Sequence, residues 1–362
     1  MATGVNTMTL TEHSLRSKTW HNLNAIGSLV WDDLVQRAYT STVFQTYGWI
    51  SAWQNTIGIG STLIIPCVYL DDRLVGAALF IESGNTLAFG AADRADYGDV
   101  LIDRDLDEPL QCEVATELLR NAWHAADDVR NFMLDKVPTH SPSLHLLGQL
   151  RPDFYLVALQ RLPAPRLDMS AVGARLKKKS LKRHENGLKR LGKVAFQTYT
   201  EANDVLPRLQ DFFDQHIERW RDTESPSLFN DQTNCEFYSE LTRRLGETKS
   251  LRYSELTLDD QLVAAHFGFL FADTFTWYKP SYAIEYAKKS PGEVLIRNLL
   301  RLAKEEGVAI FDFTIGGEGF KYRFATEDPT VTKLYVSPSN IRVKLKDLRF
   351  RAGVMLDRII HR

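Results

Sequence analysis

Chemistry in this chain is marked first by a short segment, Ala287-Lys288-Lys289-Ser290-Pro291-Gly292-Glu293, which separates a strand-like run from a long amphipathic one. Ser290 can cap a helix, Pro291 suits its first position, and Gly292 lets a ligand approach the backbone closely. The free amides and positive dipole end of such a helix favour a phosphate, and Lys288 and Lys289 add charge, although an ordinary Ser-Pro helix start reads the same way. His266 stands alone in the apolar run Val263 to Ala272. With an unperturbed pKa of about 6.5 it is either a general base or a core histidine bonded to nearby backbone. Asp312 alternates with Phe311 and Phe313 near the end of a strand, where it could orient His266 or an acceptor, or brace the lobe. Gly316, Gly317 and Gly319 permit a tight turn, and Glu318, Lys321 and Tyr322 lie within or just after it, as site groups or as a solvated helix face. Trp277, Tyr278 and Tyr282 offer flat surfaces to a sugar or nucleotide, though aromatic residues in strands are more often core.

The elements that must position these residues repeat one order twice. A helix over Thr42 to Ile57 is followed by strands over Leu63 to Leu70, Leu74 to Ile81, Asn85 to Gly90 and Asp99 to Ile102, then a helix over Leu110 to Ala126. Asn131 to Val137 reads as a strand, Ser141 to Leu150 as a helix and Phe154 to Leu159 as a strand, before Pro163 and Pro165 punctuate the chain. The second half begins with a basic helix from Val172 to Leu191, a strand over Val194 to Tyr199 and helices over Val205 to Trp220 and Cys235 to Leu245. Three consecutive strands follow, Leu251 to Leu258, Gln261 to Phe271 and Thr274 to Tyr278, then a helix over Gly292 to Glu306, a strand over Val308 to Thr314, a short helix near Glu318 to Phe324 and a final strand over Val331 to Val336. The class is α/β (α+β), with an N-terminal lobe over residues 20–165, a C-terminal lobe over 166–338 and a basic amphipathic helix over 339–362.

With 362 residues, 44% hydrophobic, the chain can bury two cores. A net charge of −2 gives no global drive towards nucleic acid or acidic membranes, so such binding must come from local patches. Cys67, Cys112 and Cys235 stand far apart without CxxC spacing, which favours a reducing compartment and implies no metal. No signal-like or membrane-spanning run is present, so a cytoplasmic location is expected. Two basic stretches stand out. Arg175 to Lys193 carries nine Lys or Arg against one Glu. Ile341 to Arg362 carries seven, among Leu345, Leu348, Met355, Leu356 and Ile359 at approximate helical spacing. The second stretch could dock on its own second lobe, or touch an anionic membrane from the inner face, a lipid-linked sugar or a nucleotide regulator.

Several segments occur together in an order that resembles a known family. Phe44 to Trp53, Asp96-Tyr97-Gly98-Asp99, His216 with Arg219-Trp220, Ala264-Ala265-His266, Trp277-Tyr278-Lys279-Pro280-Ser281-Tyr282, Ser290-Pro291-Gly292 and Asp312-Phe313-Thr314-Ile315-Gly316-Gly317-Glu318 with Lys321 resemble the CelD/BcsL-type acyltransferases of the GNAT superfamily. These are often associated with exopolysaccharide synthesis and are similar in two-lobed build to Fem-type aminoacyl-tRNA peptidyltransferases. The resemblance covers residues 30–338 and is firmer in the second half. It implies tandem GNAT-like lobes, each a mixed central sheet flanked by helices, and transfer of an acyl group to an amine or hydroxyl on a sugar or sugar-linked carrier in cell-envelope synthesis. One departure is the absence of the Q/R-x-x-G-x-G/A loop of single-domain acetyltransferases, which leaves acyl-CoA, an acyl carrier protein and aminoacyl-tRNA open as donors.

On this resemblance Lys288, Lys289, Ser290 and Gly292 hold the donor, acetyl-CoA or another acyl-CoA. Arg219, Trp220, Trp277, Tyr278, Tyr282, Asp96 and Tyr97 face a sugar-nucleotide or lipid-linked sugar acceptor. His266, Asp312, Glu318, Lys321 and Tyr322 form the catalytic group: His266 takes the acceptor's proton, Lys321 steadies a phosphate or the acyl oxygen, and Tyr322 protonates the leaving sulfur. Two other readings stand beside it, a Fem-like enzyme drawing on charged tRNA and a non-catalytic sensor of the same fold.

Overall fold

The computed structural model describes residues 14–139, 141–149 and 153–360. The first lobe contains β1 (Leu15–Trp20), α1 (Ser28–Arg37), α2 (Tyr47–Gln54), β2 (Leu63–Leu70), β3 (Arg73–Ala77), β4 (Phe80–Ser83), β5 (Thr86–Phe89), β6 (Leu101–Ile102), α3 (Glu108–Ala125), β7 (Asn131–Pro138), α4 (Pro142–Gly148) and β8 (Tyr155–Pro163). The second contains β9 (Arg166–Asp168), α5 (Val172–Leu176), α6 (Lys179–Lys189), β10 (Val194–Tyr199), α7 (Ala202–Val205), α8 (Leu209–Trp220), α9 (Gln232–Glu247), β11 (Leu251–Leu258), β12 (Gln261–Phe271), β13 (Thr274–Tyr282), α10 (Pro291–Glu305), β14 (Ile310–Asp312) and α11 (Gly319–Tyr322). β15 (Thr330–Ser337) and α12 (Asn340–Ile360) follow. The expected α/β class, two mixed sheets flanked by helices, is what forms.

The first sheet runs β6-β3-β2-β4-β5-β7-β15-β8 with β1 paired to β2, and the second runs β10-β11-β12-β13-β14-β9. In each lobe one helix crosses between parallel neighbours: α3 between β5 and β7, and α10 between β13 and β14. The position of β15 corrects the expected division of the chain. The strand was assigned to the lobe over 166–338, yet it lies antiparallel between β7 and β8 of the first sheet. A short apolar strand does not encode its own sheet, and β7 and β8, separated by α4, leave a slot between them. α12 likewise packs on β8 and β15 rather than on the second lobe, with Val343 and Phe350 beside Leu159 and Tyr335.

Two helices break where the sequence reads as continuous. Between α7 and α8 a 3-10 turn spans Leu206–Arg208 and holds Pro207, which removes a helical donor. The basic helix breaks between α5 and α6. Arg175 there donates to the carbonyls of Phe324 and Ala325 at 2.8 and 3.0 Å, and Lys178 donates to that of Arg323, which ties the break to the end of α11.

One apolar core runs through both lobes. Trp49 meets Phe44 at 4.7 Å, Phe237 at 5.6 Å, and Phe269 and Tyr278 at 5.5 Å, all edge-to-face. Burying each such ring stabilises by on the order of 2–3 kcal/mol, so the lobes are packed as one unit. Tyr278 adds a polar tie by donating its hydroxyl proton to the Arg94 carbonyl at 2.5 Å.

Candidate functional site

The start of α10 opens on a cavity of about 250 Å³ whose walls include Ser290, Pro291, Gly292, Ser281, Tyr282, Trp277, Arg219 and Phe320. Ser290 occupies the N-cap position as expected, but with φ of +54° its hydroxyl makes no capping bond, and only its backbone carbonyl accepts, from the Glu293 and Val294 amides. A Cβ built on Gly292 would come no nearer than 3.8 Å to a neighbour, the Tyr282 ring, so the fold itself leaves space at the helix start. Ser281 is buried with its Oγ unpartnered among the described residues, although it lines this cavity. A buried hydroxyl without a partner is unfavourable, and a ligand in the cavity would supply one. Arg219 lies over the Tyr282 ring at 4.1 Å and donates to the Pro280 carbonyl at 3.2 Å. Glu293, in the first turn, is held back by His184 of α6 at 2.8 Å and by Arg323. Lys288 and Lys289 stand exposed on the preceding 3-10 turn, Ile284–Lys289.

Pairing between β13 and β14 stops at Thr276–Asp312, while β13 continues to Tyr282. At this divergence Asp312 enters a second cavity, of about 130 Å³, between the lobes, with Tyr97, Arg166, Thr40, Ser41 and Thr276 on its walls. Tyr97, carried on the loop between β5 and β6, donates to Asp312 Oδ1 at 2.9 Å, and the Thr314 amide donates to the same oxygen at 2.7 Å. Burial pushes the Asp312 carboxyl up to about 6 despite these two donors. It is therefore mostly ionised at neutral pH while remaining far more basic than an exposed aspartate. Thr314 adopts a left-handed φ of +57°, strained for a β-branched residue, and its hydroxyl donates to the Trp277 carbonyl at 3.3 Å. Thr276 lines the inter-lobe cavity and Trp277, the next residue, lines the cavity at α10, so this stretch of β13 is the wall between them.

Lys321 is enclosed at the same wall. Its Nζ donates to the Ile315 carbonyl at 2.8 Å and the Thr314 carbonyl at 3.3 Å, and sits 3.0 Å from Glu318. Gly316, at φ +132°, holds a backbone conformation that residues with a side chain rarely adopt, next to the Glu318 and Lys321 head groups. Asp312, Thr314, Lys321 and Glu318 thus form one connected group. Tyr322 does not join it, since its ring is exposed and its hydroxyl donates to Asp328 at 3.3 Å.

His266 departs furthest from its expected role. The residue is 0% exposed, its ring stacks on Trp277 at 4.6 Å, and its Nε2 accepts the Tyr278 amide proton at 3.1 Å. The β12–β13 register shifts here, between Phe267 and Phe269, so imidazole takes the place of a missing backbone acceptor at a bulge. A Cβ on Gly268 would lie 2.0 Å from the His266 ring, which shows how closely the ring is enclosed. Burial pushes its pKa down to about 3, so the ring is neutral. The ring is enclosed, as the core reading expects, while its Nδ1 is buried without a hydrogen-bond partner among the described residues. Tyr278 belongs to the inter-lobe core rather than to an acceptor surface, and Trp220 stacks behind the site on His216 at 5.9 Å. Asp96 lies near Lys279, whose ammonium is pushed down by burial while Asp96 opposes that shift. Ser281 and Thr314 stood in the sequence only as members of the resembling motifs, with no role assigned, and Arg166 went unread. Nothing in a β-branched residue announces a left-handed conformation, and Arg166 and Ser281 acquire their positions from tertiary packing.

Residues 175–322 match the family model for an acetyltransferase (GNAT) domain. That stretch contains the α10 start, Asp312 and Lys321. No curated protein matches the sequence. Among solved structures, that of FemX superposes with a TM-score of 0.61 at 11% identity, covering 88% of this chain and 96% of that one. The C-terminal domain of a putative lysylphosphatidylglycerol synthetase from Agrobacterium fabrum gives 0.57 at 13%, covering 90% and 96%. A conserved protein of unknown function from Bacteroides thetaiotaomicron gives 0.57 at 14%, covering 85% and 96%. At such identities the likeness is one of fold, and it extends over both lobes.

Proposed function

We propose that the protein is an acyltransferase which binds a phosphate-bearing acyl donor, an acyl-CoA, at the start of α10 and accepts the nucleophile from the inter-lobe side. The observation that carries this reading is the pair of cavities on either side of β13 where β14 diverges from it. One has a helix start without a side-chain cap and an orphan Ser281 hydroxyl, and the other a half-buried carboxylate with a raised pKa. Asp312 takes the proton of an attacking amine or hydroxyl and passes it on as the acyl–sulfur bond breaks, so that CoA leaves as the thiol. Lys321 reaches the developing oxyanion by exchanging its contact with Glu318, which is itself largely exposed and free to move. Arg219 and the α10 amides neutralise donor phosphate. The hydroxyl-rich inter-lobe cavity suits a polar acceptor such as a sugar or sugar-linked carrier, in keeping with the CelD/BcsL resemblance and a role in exopolysaccharide or cell-envelope synthesis.

A Fem-like reading, with aminoacyl-tRNA as donor, is favoured by one feature. Lys177, Lys179, Lys182, Arg183, Lys189, Arg190 and Lys193 are exposed on the basic stretch, and α6 packs on α10 beside the donor cavity. Calorimetry of CoA and of charged tRNA against the protein and Gly292→Asp decides between them. CoA binding weakened about tenfold or more in the variant supports the proposal, and the open space at Gly292 keeps that variant foldable. Salt-sensitive tRNA binding with none to CoA would shift the donor to tRNA, and CoA binding indifferent to the substitution would remove the site.

A further inference from the structure

The C-terminal helix has two apolar faces, and among the described residues only one of them is packed. Val343 and Phe350 pack on β8 and β15. On the opposite side Ile341, Leu345 and Leu348 are 72%, 50% and 65% exposed, and Ala352, also exposed, continues the same line. Their spacing of three and four residues makes one continuous stripe. At 100° per residue, Arg342 and Arg349 border this stripe on one side and Lys344 and Arg351 on the other. The acid within this segment, Asp347, lies towards the docked side and pairs with Arg351 at 2.9 Å.

We infer that this outer face of α12 binds an anionic lipid surface, with the stripe inserted at the headgroup–acyl boundary and the flanking cations at phosphate level. Long basic side chains on both margins of an apolar stripe can lay their alkyl stems along the apolar layer and keep their charges in the headgroups. Charge also argues against a second copy of the chain as occupant, because two such faces brought together would set four cations against four across a desolvated seam. No helix among the described residues is long and apolar enough to cross a bilayer, so the contact is one of lying on the surface. The inference is independent of the acyl-transfer reading.

Flotation of the full chain with vesicles of neutral phosphatidylcholine alone, or mixed with a quarter phosphatidylglycerol, tests it. The expected result is binding to the mixed vesicles at least tenfold tighter than to the neutral ones, falling as salt rises. Both Leu345→Ser/Leu348→Ser and Lys344→Glu/Arg349→Glu should abolish binding without changing the melting temperature, since all four side chains are exposed. Leu348→Trp supplies a readout that does not depend on loss of binding, a blue shift of its emission only with mixed vesicles. Absence of binding, equal binding to both vesicle types, or a dimer in solution that the serine pair dissociates would each overturn the inference.

Discussion

The crossover helices of the two lobes do the same topological job with opposite chemistry at their entrances. α3 is capped by Asp107, whose carboxylate accepts the Leu110 amide at 2.9 Å, and Glu108 occupies its first turn. α10 begins at a left-handed Ser290 that caps nothing with its side chain, and it opens on a cavity. At the third paired position of the parallel strands, the first lobe has Met133 opposite Ala88 and the second has Asp312 opposite Thr276. Left-handed residues occur in both lobes, but Lys136 of β7 is held by its own ammonium, which donates to the Ala92 and Ala95 carbonyls at 2.7 and 2.6 Å. The first crossover closes its orphan groups internally and acts as scaffold. The second begins without a side-chain cap and leaves an orphan Ser281 hydroxyl and a raised Asp312 carboxyl beside its cavities, and a lost cap alone is worth about 1 kcal/mol. Such local penalties persist where a ligand is to use them.

The comparison is broken most sharply at Asp312. Asp312→Asn keeps an oxygen for the Thr314 and Tyr97 donors but cannot take a proton, so turnover is expected to fall about 10²-fold or more in steady-state kinetics. Wild-type kcat/KM should rise with pH through about 6 and then level, following the carboxylate. The sign for stability is opposite. The folded carboxyl, at about 6 rather than 3.8, holds its proton more tightly than the unfolded one, so its ionisation removes stability as pH rises between those values. At neutral pH the Asn variant should therefore melt higher, by on the order of 2 kcal/mol. A variant that keeps its rate would return Asp312 to the scaffold class.

Next in size, His266→Ala should lower stability by about 2–4 kcal/mol, through a cavity against Trp277 and an orphaned Tyr278 amide, while the folded enzyme turns over nearly normally. A collapse of rate with an unchanged melt would restore the ring as a base. Both His266 and His216 are pushed down to about 3 by burial, with Lys279 and Arg219 contributing at His216. Their folded values lie below the unfolded 6.5, so the stability they confer is complete above 6.5 and lost as pH falls towards 3. By pH 5 this amounts to roughly 2 kcal/mol for each, offset in part by Asp312, Asp32 and Glu255, whose carboxyls burial raises, and melts between pH 7 and 5 should decline.

The smallest effect belongs to the basic stretch. Lys178 is committed to the Arg323 carbonyl and Lys189 pairs with Glu185 at 2.9 Å, so the informative reversal is Lys179, Lys182 and Arg183 to Glu. Donor binding should weaken several-fold at low salt and recover as salt rises. A loss indifferent to salt would indicate damaged packing between α6 and α10.

Much of the second sheet was legible because its strands are long, β-rich and separated by acidic turns. Leu251–Leu258 and Gln261–Phe271 coincide with the sequence reading, and α10 differs by one residue at each end. The first lobe hid β1, whose LRSKTW sequence is an edge strand largely open to solvent, and α1. The helix start, the glycine turn and Asp312 could be found because glycine, proline and isolated charge are local signals. His266 stayed ambiguous because a polar residue in an apolar strand reads alike as a base or as a plug for a bulge. Only the register shift at Gly268 distinguishes the two.

The place of β15 sets an order on the birth of the molecule. A ribosome releasing this chain exposes β7 and β8 long before the strand that must lie between them, since the whole second sheet is synthesised in the interval. Until Ser337 emerges, the first sheet has a gap with two unsatisfied edges, and the early half of the polypeptide must wait, guarded against pairing with other chains, for the late half to finish it.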